Sequence, residues 1–232
     1  MTEIDRVLIT GVDTRLGAAV RDHFAGRGAL TVGTVSADGV AAPGEITVKA
    51  DPVDRSEVSD AVAKAAAHMG GIDVLVVAHG LPVVAPLADQ SMAEFWAHVD
   101  ATLTGSFLYA QAAADHMRHS GTGGRIVLTN SRWHVGGDGL AAVATAAGGI
   151  VALTKSLTRD FGGFGVGVNA VALGALDSEW SVCDGAGGQP PGGRTGTVEQ
   201  AAAVIGLLSQ RQLGAAVGQI VNVDGGLSRN RV

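Results

Sequence analysis

The chain is poor in several residue types. Among its 232 residues there is one cysteine, Cys183, and one tyrosine, Tyr109. A single cysteine excludes an internal disulfide, which suits a reducing compartment, so a cytoplasmic location is expected. Charged residues make up only 16 % and the balance is acidic, with a formal net charge of −6. A nucleic-acid partner would favour a basic face, and none is evident. No apolar run reaches the ~18 residues of a membrane span, so no membrane partner is expected. Residues 1–5 are acidic and lead straight into an apolar segment, unlike a secretory signal. No close spacing of His, Cys, Asp and Glu resembles a ligand set, so no metal is expected.

What the chain does have is apolar surface and glycine. Hydrophobic residues make up 47 %, enough for a large core, and Gly accounts for 35 positions. That is about twice the usual ~7 %, an excess that tight turns and close backbone approaches would use. Short apolar runs at 7–9, 30–35, 46–48, 73–77, 125–128, 166–172 and 219–223 read as strands. Longer Ala-rich segments at 16–26, 57–69, 92–119 (interrupted at Gly105), 140–161 and 198–208 read as helices. The 73–77 run lacks polar alternation, as a strand buried on both faces does. Strands alternating with helices predict a single α/β domain over 1–232. It is a Rossmann-type doubly wound fold with a mainly parallel seven-stranded sheet, helices on both faces, and ligands at the carboxyl ends of the strands. Residues 185–196, rich in Gly and Pro, break the rhythm and are expected to form an irregular lid over the pocket.

Thr10-Gly11-Val12-Asp13-Thr14-Arg15-Leu16-Gly17 lies between the first strand and the first helix. A glycine at such a turn lets the backbone approach a pyrophosphate, and the helix N-terminus supplies N–H donors. The segment resembles the T-G-x-x-x-G-x-G fingerprint of the short-chain dehydrogenase/reductase family. Asp51-Pro52-Val53-Asp54 resembles that family's adenine-contacting D-V-x-D, and Asp73-Val74-Leu75-Val76 the strand leading to its N-N-A-G. Val168-Asn169-Ala170-Val171-Ala172 with Gly174, and the run from Gly218 to Gly226, resemble the family's later signatures. The resemblance implies cofactor contacts at Gly11, Thr14, Arg15, Gly17, Ser36, Asp51 and Gly80. No acid stands at Ser36, where one would bind a ribose 2′-hydroxyl. Any dinucleotide is therefore expected to be NADP rather than NAD, with its presence left open. Arg15 replaces a glycine, and either crowds the pyrophosphate or pairs with a phosphate.

The resemblance fails where the family's chemistry sits. N-N-A-G reads Val77-Ala78-His79-Gly80. Of the family's Asn, Ser, Tyr and Lys tetrad, the Asn place falls on Thr102 and the Ser place on Ser131. The run Gly148-Gly149-Ile150-Val151-Ala152-Leu153-Thr154-Lys155 puts Val143 at the Tyr place and Ala147 at the Lys place. Neither can transfer a proton, a contribution typically of ~10²–10⁴-fold. His79, Ser131 and His134 are the candidate catalytic residues, since imidazole is a natural proton carrier near neutral pH. Arg132, Trp133, Asp138, Asp177, Glu179 and Trp180 are expected around them. Three functions follow. The first is non-redox acid/base chemistry, of isomerase, dehydratase or cyclase type, on a small carbonyl-containing metabolite. The second is an NADP-dependent oxidoreductase with an unfamiliar proton donor. The third is a silent binding or scaffold subunit. Resemblance also implies a homodimer or homotetramer with closed symmetry.

Overall fold

A computed structural model of the chain describes residues 5–36, 38–40, 45–187 and 189–228. Residues 1–4 of the N-terminal segment and Gly188 of the Gly/Pro segment lie outside these. Strands β1 (Arg6–Thr10), β4 (Val74–Val77), β5 (Gly124–Ser131) and β6 (Val166–Leu173) are buried almost throughout. Their sequences are apolar without alternation because both faces are covered. β2 (Leu30–Val35), β3 (Thr47–Lys49) and β7 (Ile220–Val223) complete one seven-stranded sheet among the described residues. Every pairing is parallel, in the order β3-β2-β1-β4-β5-β6-β7. Successive side chains alternate between the two faces. Val7, Ile9 and Val127 pack with α1 (Arg15–Ala25) and α6 (Val198–Leu208), while Leu8, Leu75, Ile126 and Leu128 pack with α2 (Arg55–Met69) and α4 (Gly105–Ser120). Chain order reverses between β1 and β4, which opens a crevice at their carboxyl ends.

Local chemistry sets the helix ends. Thr14 caps α1 by accepting from the Gly17 N–H, and Asp54 caps α2 by accepting from the Ser56 and Glu57 N–H groups. Ser91 and Glu94 form a reciprocal capping box on α3 (Met92–Val99), as do Thr197 and Gln200 on α6. Each such cap satisfies amides that the first helical turn leaves unpaired.

Two expectations are corrected here. The 92–119 helix does not break at Gly105. It widens into a π-turn at Asp100–Thr104, and Gly105 opens α4. Gly105 is there for packing: a Cβ on it would stand 2.5 Å from His79 Nε2. The 185–196 segment is also more ordered than its composition suggested. Residues through Gly187 complete a 3-10 run from Glu179, kinked at Gly185, and Gly196 returns to bridge Leu176 beside the end of β6. Helix α5 (Ala141–Phe161) packs on β5 and β6. With its short extension to Phe164 it is long and apolar enough to cross a membrane by length and composition. Its residues Ala142, Val143, Ala146, Ala147 and Ile150 lie buried in the domain.

Candidate functional site

The glycine turn keeps the shape its sequence predicts. Gly11 has φ +69°, and a Cβ there would come within 2.7 Å of the His79 backbone. A Cβ on Gly17 would collide with the Gly11 carbonyl. Thr14 Oγ1 accepts from the Gly17 N–H (3.0 Å) and donates to the Gly11 carbonyl (2.8 Å). Arg15 neither fills the turn nor faces a phosphate position. Its guanidinium reaches out to Asp177 (3.0 Å), and its backbone N–H donates to Glu179 Oε1 (2.9 Å). A carboxylate is thus already seated on the first amide of α1, where the helix dipole attracts anions.

Beside this turn lies a cleft of about 540 Å³ whose walls include Thr34, Ser36, Pro52, His79, Gly80 and Leu81. It spans the carboxyl ends of β1, β2 and β4. Of the residues assigned to cofactor contact, Gly11, Thr14, Ser36 and Gly80 line it. Asp51 does not. Its carboxylate accepts from the Val53 N–H (3.0 Å) within its own turn, and the neighbouring Ala50 and Pro52 face the cleft instead. The absence of an acid at the end of β2 also needs correction. Asp13, from the glycine turn, accepts there from Ser36 Oγ (3.1 Å).

His79 is held rather than poised. Thr10 Oγ1 accepts from the Ala78 N–H (3.0 Å) and lies near the His79 N–H (3.3 Å), so its proton goes to His79 Nδ1 at 2.6 Å. Nε2 therefore carries the ring proton and points toward the π-turn, close to the Ala101 carbonyl. The contact is loose enough that Nε2 lacks a well-formed hydrogen bond. Burial lowers the imidazole pKa to about 4, so the ring is neutral near pH 7. Thr102 adjoins Gly80 but leaves its own buried hydroxyl unpartnered. Tyr109 is also buried, donates to Thr34 Oγ1 (3.3 Å), and is pushed up to about 12 by its burial. It is not poised as a proton donor.

The β5 end differs. Ser131 is 2 % exposed, and its Oγ accepts from the Trp133 N–H (3.2 Å). The expected Ser131/His134 side-chain pair does not form. His134 Nδ1 instead meets the Ser131 backbone carbonyl at 3.0 Å. A carbonyl can only accept, so Nδ1 carries the proton and the neutral ring keeps a basic lone pair on Nε2. Val143 and Ala147 are 1 % and 3 % exposed on α5. The His134 backbone passes beside Gly148, the residue after Ala147. Asp184, which no sequence motif marked, ties this region together. It accepts from Arg132 Nε (2.6 Å), Trp133 Nε1 (3.2 Å) and the Ala175 N–H (2.6 Å). The Arg132 guanidinium stacks on the Trp133 ring at 4.0 Å. Trp180 is buried with the core, while Asp138 and Asp177 are exposed. Among the described residues no group of three or more His, Cys, Asp or Glu could hold a metal ion.

A dinucleotide fits this surface unevenly. The tight turn at Gly11, which lines the cleft and tolerates no Cβ, leaves the backbone open to a close pyrophosphate, and the cleft suits a nucleoside. The amide that would meet the pyrophosphate is held by Glu179, whose other oxygen is buried without a partner.

Comparison with known proteins agrees with this architecture. The family model described as enoyl-(acyl carrier protein) reductase matches residues 16–228. The 3-oxoacyl-[acyl-carrier-protein] reductase MabA of Mycobacterium bovis is 28 % identical over 95 % of this chain and 92 % of its own length. The cis-4-hydroxycyclohexanecarboxylate dehydrogenase of Sinomonas cyclohexanicum is 30 % identical over 94 % of both chains. The crystal structure of a short-chain type dehydrogenase/reductase from Mycobacterium marinum superposes with a TM-score of 0.88, at 27 % identity, over 97 % of this chain and 95 % of that one. With the family model, the relatives and the fold in agreement along nearly the whole chain, this chain belongs to the short-chain dehydrogenase/reductase family.

Proposed function

We propose that the chain is a nicotinamide-dependent oxidoreductase acting on a small carbonyl- or hydroxyl-bearing compound, with His134 handling the proton in place of the missing tyrosine. This reading is preferred to isomerase, dehydratase or cyclase chemistry because its relatives are reductases and dehydrogenases along nearly the whole chain. The carrying observation is the His134 tautomer, fixed by the Ser131 carbonyl at 3.0 Å with Nε2 left as acceptor.

Gly11, Thr14, Gly17 and Gly80 would hold the cofactor, which supplies or removes the hydride when bound. The chain's own residues do the rest. Ser131 Oγ, which accepts from Trp133, keeps its proton to donate to a substrate oxygen. His134 passes a proton between that oxygen and solvent. His79, neutral and clamped, positions the π-turn and takes no part in proton transfer. Assembly as a closed homodimer or homotetramer belongs to the same proposal.

The test follows reduced-nicotinamide absorbance with 3-oxoacyl thioesters and hydroxycycloalkane carboxylates, the compound classes in the names of two relatives. His134→Ala is expected to lower kcat by ~10²–10⁴-fold with little change in KM. Unchanged kcat in that variant removes His134 from the mechanism. A second reading, a binding subunit without turnover, is favoured by the apolar Val143 and Ala147 at the Tyr and Lys places. Dinucleotide binding without turnover on any compound would establish it.

A further inference from the structure

In this fold the carboxyl end of β2 meets the adenine ribose, and the charge there sorts a free 2′-hydroxyl from a 2′-phosphate. β2 runs out at Val35 and Ser36 follows; Asp38, two residues further on, is exposed and does not line the cleft. The acid comes from another element. Asp13 Oδ2 accepts from Ser36 Oγ at 3.1 Å and faces the Ser36 N–H at 3.4 Å. Gly39 presses so close that a Cβ on it would strike the same oxygen. Asp13 and Ser36 both line the cleft, and no Lys or Arg lines it with them. No Lys or Arg occurs anywhere in residues 36–48. The two arginines that flank the turn on α1 are engaged elsewhere, Arg15 with Asp177 and Arg21 with Asp22 and Glu45.

We infer that Asp13 makes this cleft select an adenine ribose with a free 2′-hydroxyl and reject one bearing a 2′-phosphate. The inference rests on the nicotinamide-dependent reading above and reverses the preference for NADP drawn from Ser36 alone. A carboxylate accepts hydrogen bonds from ribose hydroxyls and repels a phosphate dianion. No Lys or Arg lines the cleft to offset that repulsion; Lys49, the register partner of Val35 at the end of β3, is not among its lining residues. The acid reaches the site from the β1–α1 turn, so a search at the end of β2 alone misses it.

The test is calorimetric titration of the full chain with NADH and with NADPH, which reads binding without turnover. The native chain is expected to bind NADH about a hundredfold more tightly. Asp13→Asn, which keeps shape and removes charge, is expected to tighten NADPH about tenfold. Ser36→Arg, which leaves the turn intact and adds a cation, is expected to tighten NADPH as well. Equal affinities in the native chain, or tighter NADPH, overturn the inference and leave the nicotinamide-dependent reading standing. NADH preference that persists unchanged in Asp13→Asn takes the selection away from Asp13 and also overturns it. Failure of both nucleotides to bind overturns the inference and the nicotinamide-dependent reading together.

Discussion

The two halves of the site are built on opposite plans. At the ends of β1, β2 and β4 the molecule leaves a cleft of about 540 Å³, framed by glycines that tolerate no side chain. At the end of β5 it packs Val143 and Ala147 into the core and knits Arg132, Trp133 and the Ala175 backbone onto one carboxylate, Asp184. The half that would receive a nucleoside is an open cleft, and the half that carries Ser131 and His134 is closely packed. Binding geometry is carried by backbone and glycine, which many sequences can preserve. Proton chemistry hangs on one or two side chains, and substituting those changes the chemistry while the fold persists.

The largest test of that contrast is Asp184→Ala. Removing it strands a buried guanidinium, an indole N–H and a backbone N–H, and is expected to cost about 3–5 kcal/mol of unfolding free energy in urea. A loss under ~1 kcal/mol would mean that the β5 end is not held as described. Next is the clamp between the halves. His79 has a folded pKa of about 4, below its ordinary 6.5. From pH 6.5 down to about 4 the unfolded chain therefore binds a proton that the folded ring refuses. Stability contributed by the neutral ring is complete above that window and falls as the solution is acidified through it, by ~2–3 kcal/mol. Native and His79→Asn chains compared across this range should differ in slope, and parallel curves would refute the buried neutral ring. The smallest effect concerns the glycine turn. Glu179→Gln removes the anion seated on the first amide of α1 and is expected to tighten NADH about tenfold at low salt. No gain would show that Glu179 leaves the amide at little cost.

The element order, strand positions and sheet direction were legible in the sequence, because unbroken apolar runs alternating with Ala-rich helical segments are local signals. The Gly11 turn was legible for the same reason. What escaped depends on side chains meeting across the fold. Asp13 occupies a variable position of its motif, and only the packing of the β1–α1 turn against β2 brings it to Ser36. Asp184 stands just before the Gly/Pro-rich 185–196 segment, in a stretch that no motif marks. Arg15 left two outcomes open, and Asp177, 162 residues away, supplied a third. His79 was rightly placed beside the cleft, but its proton-carrying role could not be judged without Thr10, whose hydroxyl fixes the tautomer.

Helix α5 carries a cost that belongs to biosynthesis. It is apolar enough to pass for a bilayer-spanning segment, and part of its buried face is covered by β6. β5 is synthesised before it, but β6 (Val166–Leu173) only after. As the chain leaves the ribosome, α5 therefore waits with part of its cover missing until the next strand follows. In that interval a nascent-chain chaperone or a membrane would meet the same surface that β6 later occupies.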